Sequence, residues 1–110
     1  MKYIVCLFIT FAASNICNAQ TNIVRTNIVD TTKPIKIVEV SCGECQFKMA
    51  GKSCNLAVRI KGKSYFVDGT SIDEYGDAHA DDGFCKAIRK AEMQGKIVKN
   101  RFVATYFKLL

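Results

Sequence analysis

The sequence predicts a small protein of the α+β class, mainly β: an OB-like five-stranded barrel with one helix between strands three and four. Two observations lead to this prediction. Short segments rich in β-branched residues are separated by tight-turn signals. One segment with helical spacing of apolar residues interrupts them after the third strand. Five strands with a helix at that position is the element order of the OB-fold.

Three strands precede the predicted helix. Residues 35–41 are β-branched and partly alternate apolar with polar side chains, which is typical of a strand. Residues 55–60 also alternate, and residues 64–69 resume a strand pattern after Gly62. Because glycine readily adopts the positive φ that a tight turn needs, the second and third strands are expected to form a hairpin.

The predicted helix begins at a cap, Asp81 or Asp82, and runs to about Gln94. Its apolar residues recur at helical spacing, and its positively charged residues lie toward the C-terminal half, which suits the helix dipole. Gly95 follows as the predicted C-terminal stop.

A second hairpin ends the chain. Residues 96–98 and 101–110 have strand patterns and are joined by Lys99 and Asn100. The resulting order is three strands, a helix and two strands. A ferredoxin-like order would need a helix between the first two strands, and residues 46–54 are too few to supply a stable one.

The N-terminus has the features of a secretory signal peptide. Lys2 is followed by an apolar run and then by small residues up to Ala19. We therefore expect an exported protein, periplasmic or secreted, with residues 1–19 removed, an extended leader at 20–34 and a cysteine-bearing OB-like domain at 35–110. No transmembrane segment is expected after this cleavage, because the apolar run is too short for a stable anchor.

The mature chain is small and basic. Of the 16 basic residues one lies in the signal peptide, which leaves 15 against 10 acidic residues and a net charge of +5. A domain of about 75 residues obtains only a few kcal/mol from its apolar core, so small exported domains commonly add cross-links. This size excludes a large multi-domain enzyme. The sequence as a whole predicts a non-enzymatic binding or structural module.

The mature chain retains four of the six cysteines, and they allow three interpretations. In the first, two disulfides cross-link the domain, with Cys42 or Cys45 bridged to Cys54 and with Cys85 tied to the sheet. In the second, Cys42 and Cys45 hold a metal with two further ligands. The candidates for these two are Cys54, His79 and Cys85, and such soft ligands favour zinc or copper(I), as in an envelope metal-binding protein.

The third interpretation is a periplasmic thiol oxidoreductase, with Cys42 as the nucleophile and Cys45 as the resolving thiol. Such a pair works best at a helix N-terminus, but the segment that follows reaches Gly51 after only six residues. Glu44 also places a negative charge between the two thiols. The surroundings therefore favour disulfides first, metal binding second and redox activity last.

Charge divides between two regions. Residues 68–83 hold six of the ten acidic residues, and His79 among them either ligates a metal or bonds a neighbouring carboxylate. An EF-hand is excluded because Ile88 stands where the bidentate glutamate belongs. Residues 86–108 hold seven basic residues with interleaved aromatics, a pattern also found in nucleic-acid binding. A solvent-exposed face on an exported protein explains these basic residues better. We therefore expect no nucleic-acid partner, and the sequence indicates no other partner.

Several short motifs distinguish the folded part. They are Cys42, Cys45, Cys54, Val67-Asp68-Gly69, Gly76-Asp77-Ala78-His79 and Gly83-Phe84-Cys85. With them, the stretch from about residue 38 to the C-terminus resembles a family of small exported bacterial proteins catalogued as a domain of unknown function. The resemblance implies no activity and no catalytic residue. Some relatives carry a glutaminyl-tRNA synthetase label, which this chain does not fit, because it lacks a nucleotide-binding signature and is far too small.

Overall fold

The computed structural model describes residues 28–110, and the secondary structure of that part is mainly β. The strands are β1 (Lys36–Cys42), β2 (Leu56–Ile60), β3 (Lys63–Asp68), β4 (Arg89–Val98) and β5 (Arg101–Leu109). A short helix, α1 (Gly43–Gln46), lies between β1 and β2, and a 3-10 turn, Ile72–Tyr75, lies between β3 and β4. The predicted signal peptide and the first part of the predicted leader lie outside the described residues.

The five strands close into a barrel in the order β1, β2, β3, β5, β4, with β4 paired back to β1. Four of the neighbouring pairs are antiparallel, and β3 pairs with β5 in parallel through Val67 with Phe102 and Asp68 with Val103. At this short seam, Arg101 donates from Nε and Nη2 to the two carboxylate oxygens of Asp68 at 2.8 and 2.9 Å. The mainly β barrel of five strands is thus confirmed.

Alternate residues of the strands fill the barrel. On β1, Val38, Val40 and Cys42 point inward and are buried, whereas Ile37 is 63% exposed on the outside. This two-residue alternation is the property of a strand that has one face in a core. Because Cys42 continues the inward series to the last residue of β1, its side chain is delivered to one end of the core.

Both predicted hairpins are confirmed. The first turns at Lys61 and Gly62, with φ of 50° and 82°, and the second turns at Lys99 and Asn100, with φ of 49° and 62°. Two-residue turns in which both φ values are positive match the right-handed twist of antiparallel strands. The registers of β2 with β3 and of β4 with β5 follow from these turns.

The helix predicted for residues 81–94, between strands three and four, is wrong. The N–H groups of Lys86 and Ala87 both donate to the carbonyl of Gly83, which makes one turn, and β4 begins at Arg89. The segment is rich in good helix formers, but it pairs with β1 on one side and with β5 on the other. Pairing on both edges outweighs the intrinsic propensity for a helix.

The α-helix of the described residues lies instead between β1 and β2, and it has only four residues, Gly43–Gln46. A helix this short is not stable by itself, so it depends on the contacts that the barrel provides. The sequence correctly indicated that this connection could not hold a long helix, but it did not predict this single turn.

Gly95, the predicted end of the helix, is part of an irregularity in the pairing of β4 with β5, between Gln94 and Gly95. A Cβ atom at this position would lie 2.2 Å from the carbonyl oxygen of Val103. Glycine is therefore needed because the backbone of β5 passes too close for any side chain.

We expect Gly95→Ala to lower the free energy of unfolding by roughly 3 kcal/mol, because β4 and β5 must separate to admit the methyl group. The matched control is Gly62→Ala, where an added Cβ meets nothing within 4 Å and only the positive φ of 82° is strained. That strain costs about 1 kcal/mol. Urea unfolding of both variants measures the difference, and equal midpoints would contradict the close approach at Gly95.

Candidate metal centre

The four cysteines of the described residues converge at one end of the barrel, with all four Sγ atoms within 4.8 Å of one another. The Sγ atom of Cys54 lies 3.9 Å from that of Cys45 and 3.4 Å from that of Cys85. A tetrahedral zinc ion with Zn–S bonds of about 2.3 Å would separate its sulfur ligands by about 3.8 Å. The two short separations are therefore close to those expected of sulfurs that share one ion.

Strand register brings these residues together from three separate segments. Cys42 ends β1 and pairs with Leu56, the first residue of β2, so that Cys54 lies next to α1. Cys45 lies one turn along α1 from Cys42. Cys85 lies in the turn that precedes β4, the other neighbour of β1 in the barrel.

The turn between Cys42 and Cys45 is built around Gly43. The backbone N–H of Cys45 donates to the Sγ atom of Cys42 at 3.4 Å, so the cysteine caps the helix that follows it. A Cβ atom on Gly43 would lie 2.7 Å from the ring of Phe66 and 2.8 Å from the sulfur of Met49. Only glycine lets this turn pack so closely against the outer face of the barrel.

The turn that carries Cys85 is held by β1 and α1. The hydroxyl of the fully buried Ser41 lies 2.6 Å from the carbonyl oxygen of Phe84 and 2.7 Å from that of Ala87, and shares its proton between them. The side-chain amide of Gln46 donates to the carbonyl of Cys85 at 2.9 Å. These contacts keep the Cys85 turn against the Cys42 end of β1.

Glu44 fixes the loop that carries Cys54. Its two carboxylate oxygens accept from the backbone N–H of Asn55 at 2.9 Å and from the side-chain amide of Asn55 at 2.6 Å. Partial burial acts to raise the pKa of Glu44, but these two hydrogen bonds outweigh it and hold the pKa below its ordinary value. The clamp ties the residue before Cys45 to the residue after Cys54.

The four thiols differ in their surroundings. Cys42 is fully buried, and burial raises the pKa of its thiol far above the ordinary value. Burial also raises the pKa of the Cys85 thiol to about 12. Cys45 is exposed, and its hydrogen bond with the Cys42 thiol lowers its pKa. The thiol that the oxidoreductase hypothesis assigns as nucleophile is therefore the most buried of the four.

His79 lies outside this cluster. It is exposed, and its backbone N–H donates to the side chain of Asp77 at 2.9 Å, a local turn contact. Of the five metal-ligand candidates, the structure thus brings together the four cysteines and leaves His79 apart. In the described residues no cysteine pair is at the distance of about 2.05 Å that a disulfide requires, and the disulfide pairing stays a prediction.

Sequence reasoning missed the side chains that support the cluster, which are Ser41, Gln46 and Asn55. Each is the immediate neighbour of a cysteine in the chain, and each is polar. Adjacency to a cysteine is the only local signal that marks these side chains. It does not predict their contacts, because the partners of Ser41 and Gln46 lie in the Cys85 turn, about forty residues away.

Comparison with known proteins identifies the family. The model of a family of unknown function (DUF6370) matches residues 36–110, and the chain belongs to that family. The predicted resemblance to a domain of unknown function is thereby confirmed. No curated protein and no solved structure matches the chain. Among residues 28–110, no helix is both long and apolar enough to cross a membrane.

We expect Ser41→Ala to loosen the Cys85 turn, because the half-buried carbonyl of Ala87 loses its hydroxyl partner and the carbonyl of Phe84 loses one of two. The free energy of unfolding should fall by about 1 to 3 kcal/mol. The control is Ser71→Ala, whose exposed side chain makes no capping hydrogen bond. Guanidinium unfolding compares the two variants, and a Ser41→Ala midpoint equal to that of Ser71→Ala would contradict the supporting role.

Proposed function

We propose that this member of the DUF6370 family is a metal-binding protein whose Cys42, Cys45, Cys54 and Cys85 together hold one soft cation, with zinc the best fit. The observation that carries the proposal is the cage of four Sγ atoms, all within 4.8 Å of one another. A set of four converging thiolates is characteristic of zinc and iron sites, and thiolates are poor ligands for magnesium or calcium.

The size of the cage supports a single ion. Iron–sulfur clusters attach their cysteines to two or four different iron atoms, which spreads the sulfurs more widely than one shared ion does. Copper(I) is also a thiophilic single ion, but it is satisfied by fewer ligands than the four thiols that converge here. Zinc uses all four.

The residues around the cage bring both signs of charge to it. Four thiolates around one divalent cation carry a net charge of −2. The N–H of Cys45 points at the Cys42 sulfur and offsets part of this charge. The exposed lysines Lys48 and Lys52 lie within three residues of a cysteine along the chain and add positive charge to the same loops. Lys86, next to Cys85, pairs with Asp81, and the carboxylate of Glu44 lies 3.5 Å from the Cys42 sulfur.

The position of the cage supports a role in holding the fold. Bound metal would join the end of β1 to the loop before β2 and to the turn before β4, and these two connections contain little regular structure. Since the binding free energy of a structural zinc site adds to the free energy of folding, one ion would stabilise a core of this size. It would supply the cross-link that the sequence attributes first to disulfides.

The proposal includes an OB-like fold. The closed order of five strands and the parallel pairing of β3 with β5 support it. The departure is the connection between β3 and β4, which has a 3-10 turn and the Cys85 turn in place of a helix. One metal ligand therefore lies where the OB-fold pattern has its helix.

Thiol oxidoreductase activity is less well supported than metal binding. A redox pair needs its nucleophile exposed and ionised, whereas Cys42 is fully buried and burial raises the pKa of its thiol. Two further cysteines also lie within reach of the pair. This arrangement suits shared coordination better than a single dithiol.

We expect the reduced protein to bind one zinc ion per chain, and cobalt(II) in its place to give the intense near-ultraviolet bands of thiolate ligands. Cys54→Ser and Cys85→Ser should each weaken zinc affinity at least 100-fold, or about 3 kcal/mol. His79→Ala is the control and should bind zinc as the wild type does, since His79 lies outside the cage. Competition with a chromophoric chelator measures the affinities.

Thermal melts separate metal binding from the disulfide alternative. With zinc as the cross-link, a chelator lowers the melting temperature and a thiol reductant leaves it unchanged. The reverse pattern would support disulfides. A protein that binds no zinc when fully reduced would contradict the proposed function.

We further propose that the protein is exported with residues 1–19 removed, on the strength of the charged start, the apolar run and the small residues that end at Ala19. Expression of the full chain in a bacterium with fractionation of the cell should yield an envelope or secreted form that begins at Gln20. N-terminal sequencing checks this, and an uncleaved cytoplasmic form would contradict it.

A further inference from the structure

We propose that the metal site is also a thiol-modification site: Cys45 reacts with a low-molecular-weight disulfide, Cys54 completes a Cys45–Cys54 bridge, and the metal is released. The inference rests on the proposed function, since it assigns a regulation to the same four thiols. Three observations carry it: the graded exposure of the sulfurs, the distance between Cys45 and Cys54, and the hydrogen bonds that hold their two segments together.

Exposure decides which thiol reacts first. Cys42 is fully buried, Cys54 and Cys85 are half-buried, and Cys45 is exposed. Thiol–disulfide exchange requires the attacking sulfur to approach the reagent's S–S bond, so access limits which sulfur can react. Of the four ligands, Cys45 is the most exposed and is therefore the one that a solute reaches most readily.

Proximity decides which thiol reacts second. The Sγ atom of Cys54 lies 3.9 Å from that of Cys45. The carboxylate of Glu44, the residue before Cys45, is held by two hydrogen bonds from Asn55, the residue after Cys54. These contacts keep the two cysteines adjacent whether or not a metal is bound.

The other two cysteines are less free to move for the second step. The sulfur of Cys85 also lies within 4.8 Å of that of Cys45, but the fully buried Ser41 of β1 holds the Cys85 turn against the barrel. Cys42 is fully buried at the end of the core. A mixed disulfide formed at the surface on Cys45 is therefore resolved by Cys54.

The chemistry balances in two exchange steps. The Cys45 thiolate attacks one sulfur of the reagent, the reagent's S–S bond breaks, and a mixed disulfide and one free thiolate result. The Cys54 thiolate then attacks the Cys45 sulfur and expels the second thiolate. Two protein thiolates lose two electrons in total, and the reagent gains them as two thiolates.

Metal release follows from the number of ligands that remain. The bridge consumes two of the four thiolates and leaves Cys42 and Cys85, which are too few to retain a zinc ion against water. The new bond joins α1 to the loop before β2, so the oxidised chain keeps a cross-link where it loses the ion. The fold can thus pass between a reduced, metal-loaded state and an oxidised, metal-free state.

The test treats the zinc-loaded protein with oxidised glutathione, follows zinc release with a chromophoric chelator, and maps disulfides by mass spectrometry after acid quenching at early times. We expect the release rate to increase in proportion to oxidised glutathione, and the first bridge to join Cys45 to Cys54. A first bridge between Cys54 and Cys85 or between Cys42 and Cys45, or full retention of zinc, would overturn the inference.

Two matched variants examine the order of the steps. Cys54→Ser removes the resolving thiol and should accumulate a glutathione adduct on Cys45. Cys85→Ser also removes one metal ligand but keeps Cys54, so it should close the Cys45–Cys54 bridge without accumulating the adduct. Equal accumulation in both variants would show that Cys54 is not the resolving thiol.

Failure of the proposed function is distinguishable from failure of this inference. If the reduced protein binds no zinc, the proposed metal site is wrong. Disulfide mapping on the metal-free reduced chain still shows the order in which the thiols react. Modification of Cys45 first and bridging to Cys54 second supports the assigned order. Modification that begins at Cys85 overturns it.

Discussion

The last two residues of β1 connect the barrel to the cluster of cysteines. Because side chains alternate along a strand, Cys42 enters the core while the neighbouring Ser41 faces the Cys85 turn and holds it through two backbone carbonyls. The backbone N–H of Cys42 also donates to the carbonyl of Phe84 at 3.0 Å. A shift of one residue in β1 would exchange these two roles, so the register of β1 with β2 and β4 determines whether the site exists.

Polar contacts around the cysteines place the loops before any metal arrives. Glu44 holds Asn55, and Gln46 holds the carbonyl of Cys85, so both loops meet α1. Because the ligands are already ordered, metal binding loses less conformational entropy. The same preorganisation keeps Cys45 beside Cys54, and the proposed reaction with disulfide reagents depends on that proximity. One set of contacts thus serves both proposed properties.

The segment before Gly95 is a strand and not the helix that its sequence predicts. Ala91 and Met93 face the core while Lys90 and Glu92 do not, a two-residue alternation that was overlooked in favour of a helical one. Both periods fit so short a run of apolar residues. Strand β4 forms because β1 would otherwise have an unpaired edge. Five residues of β1 find pairing partners in β4. Gly95 is required at the bulge for the same pairing, rather than at the end of a helix.

The sequence by itself determined the local features of this protein. Both hairpin turns, the first strand that leads to Cys42 and the four candidate cysteines could be read from it, since turn geometry and strand propensity depend on neighbouring residues. Only the tertiary structure decided which cysteines meet, that His79 stays apart and that Ser41 supports the Cys85 turn. These outcomes depend on the pairing of β1 with β4, about fifty residues away, and such distant contacts leave no local pattern in the chain.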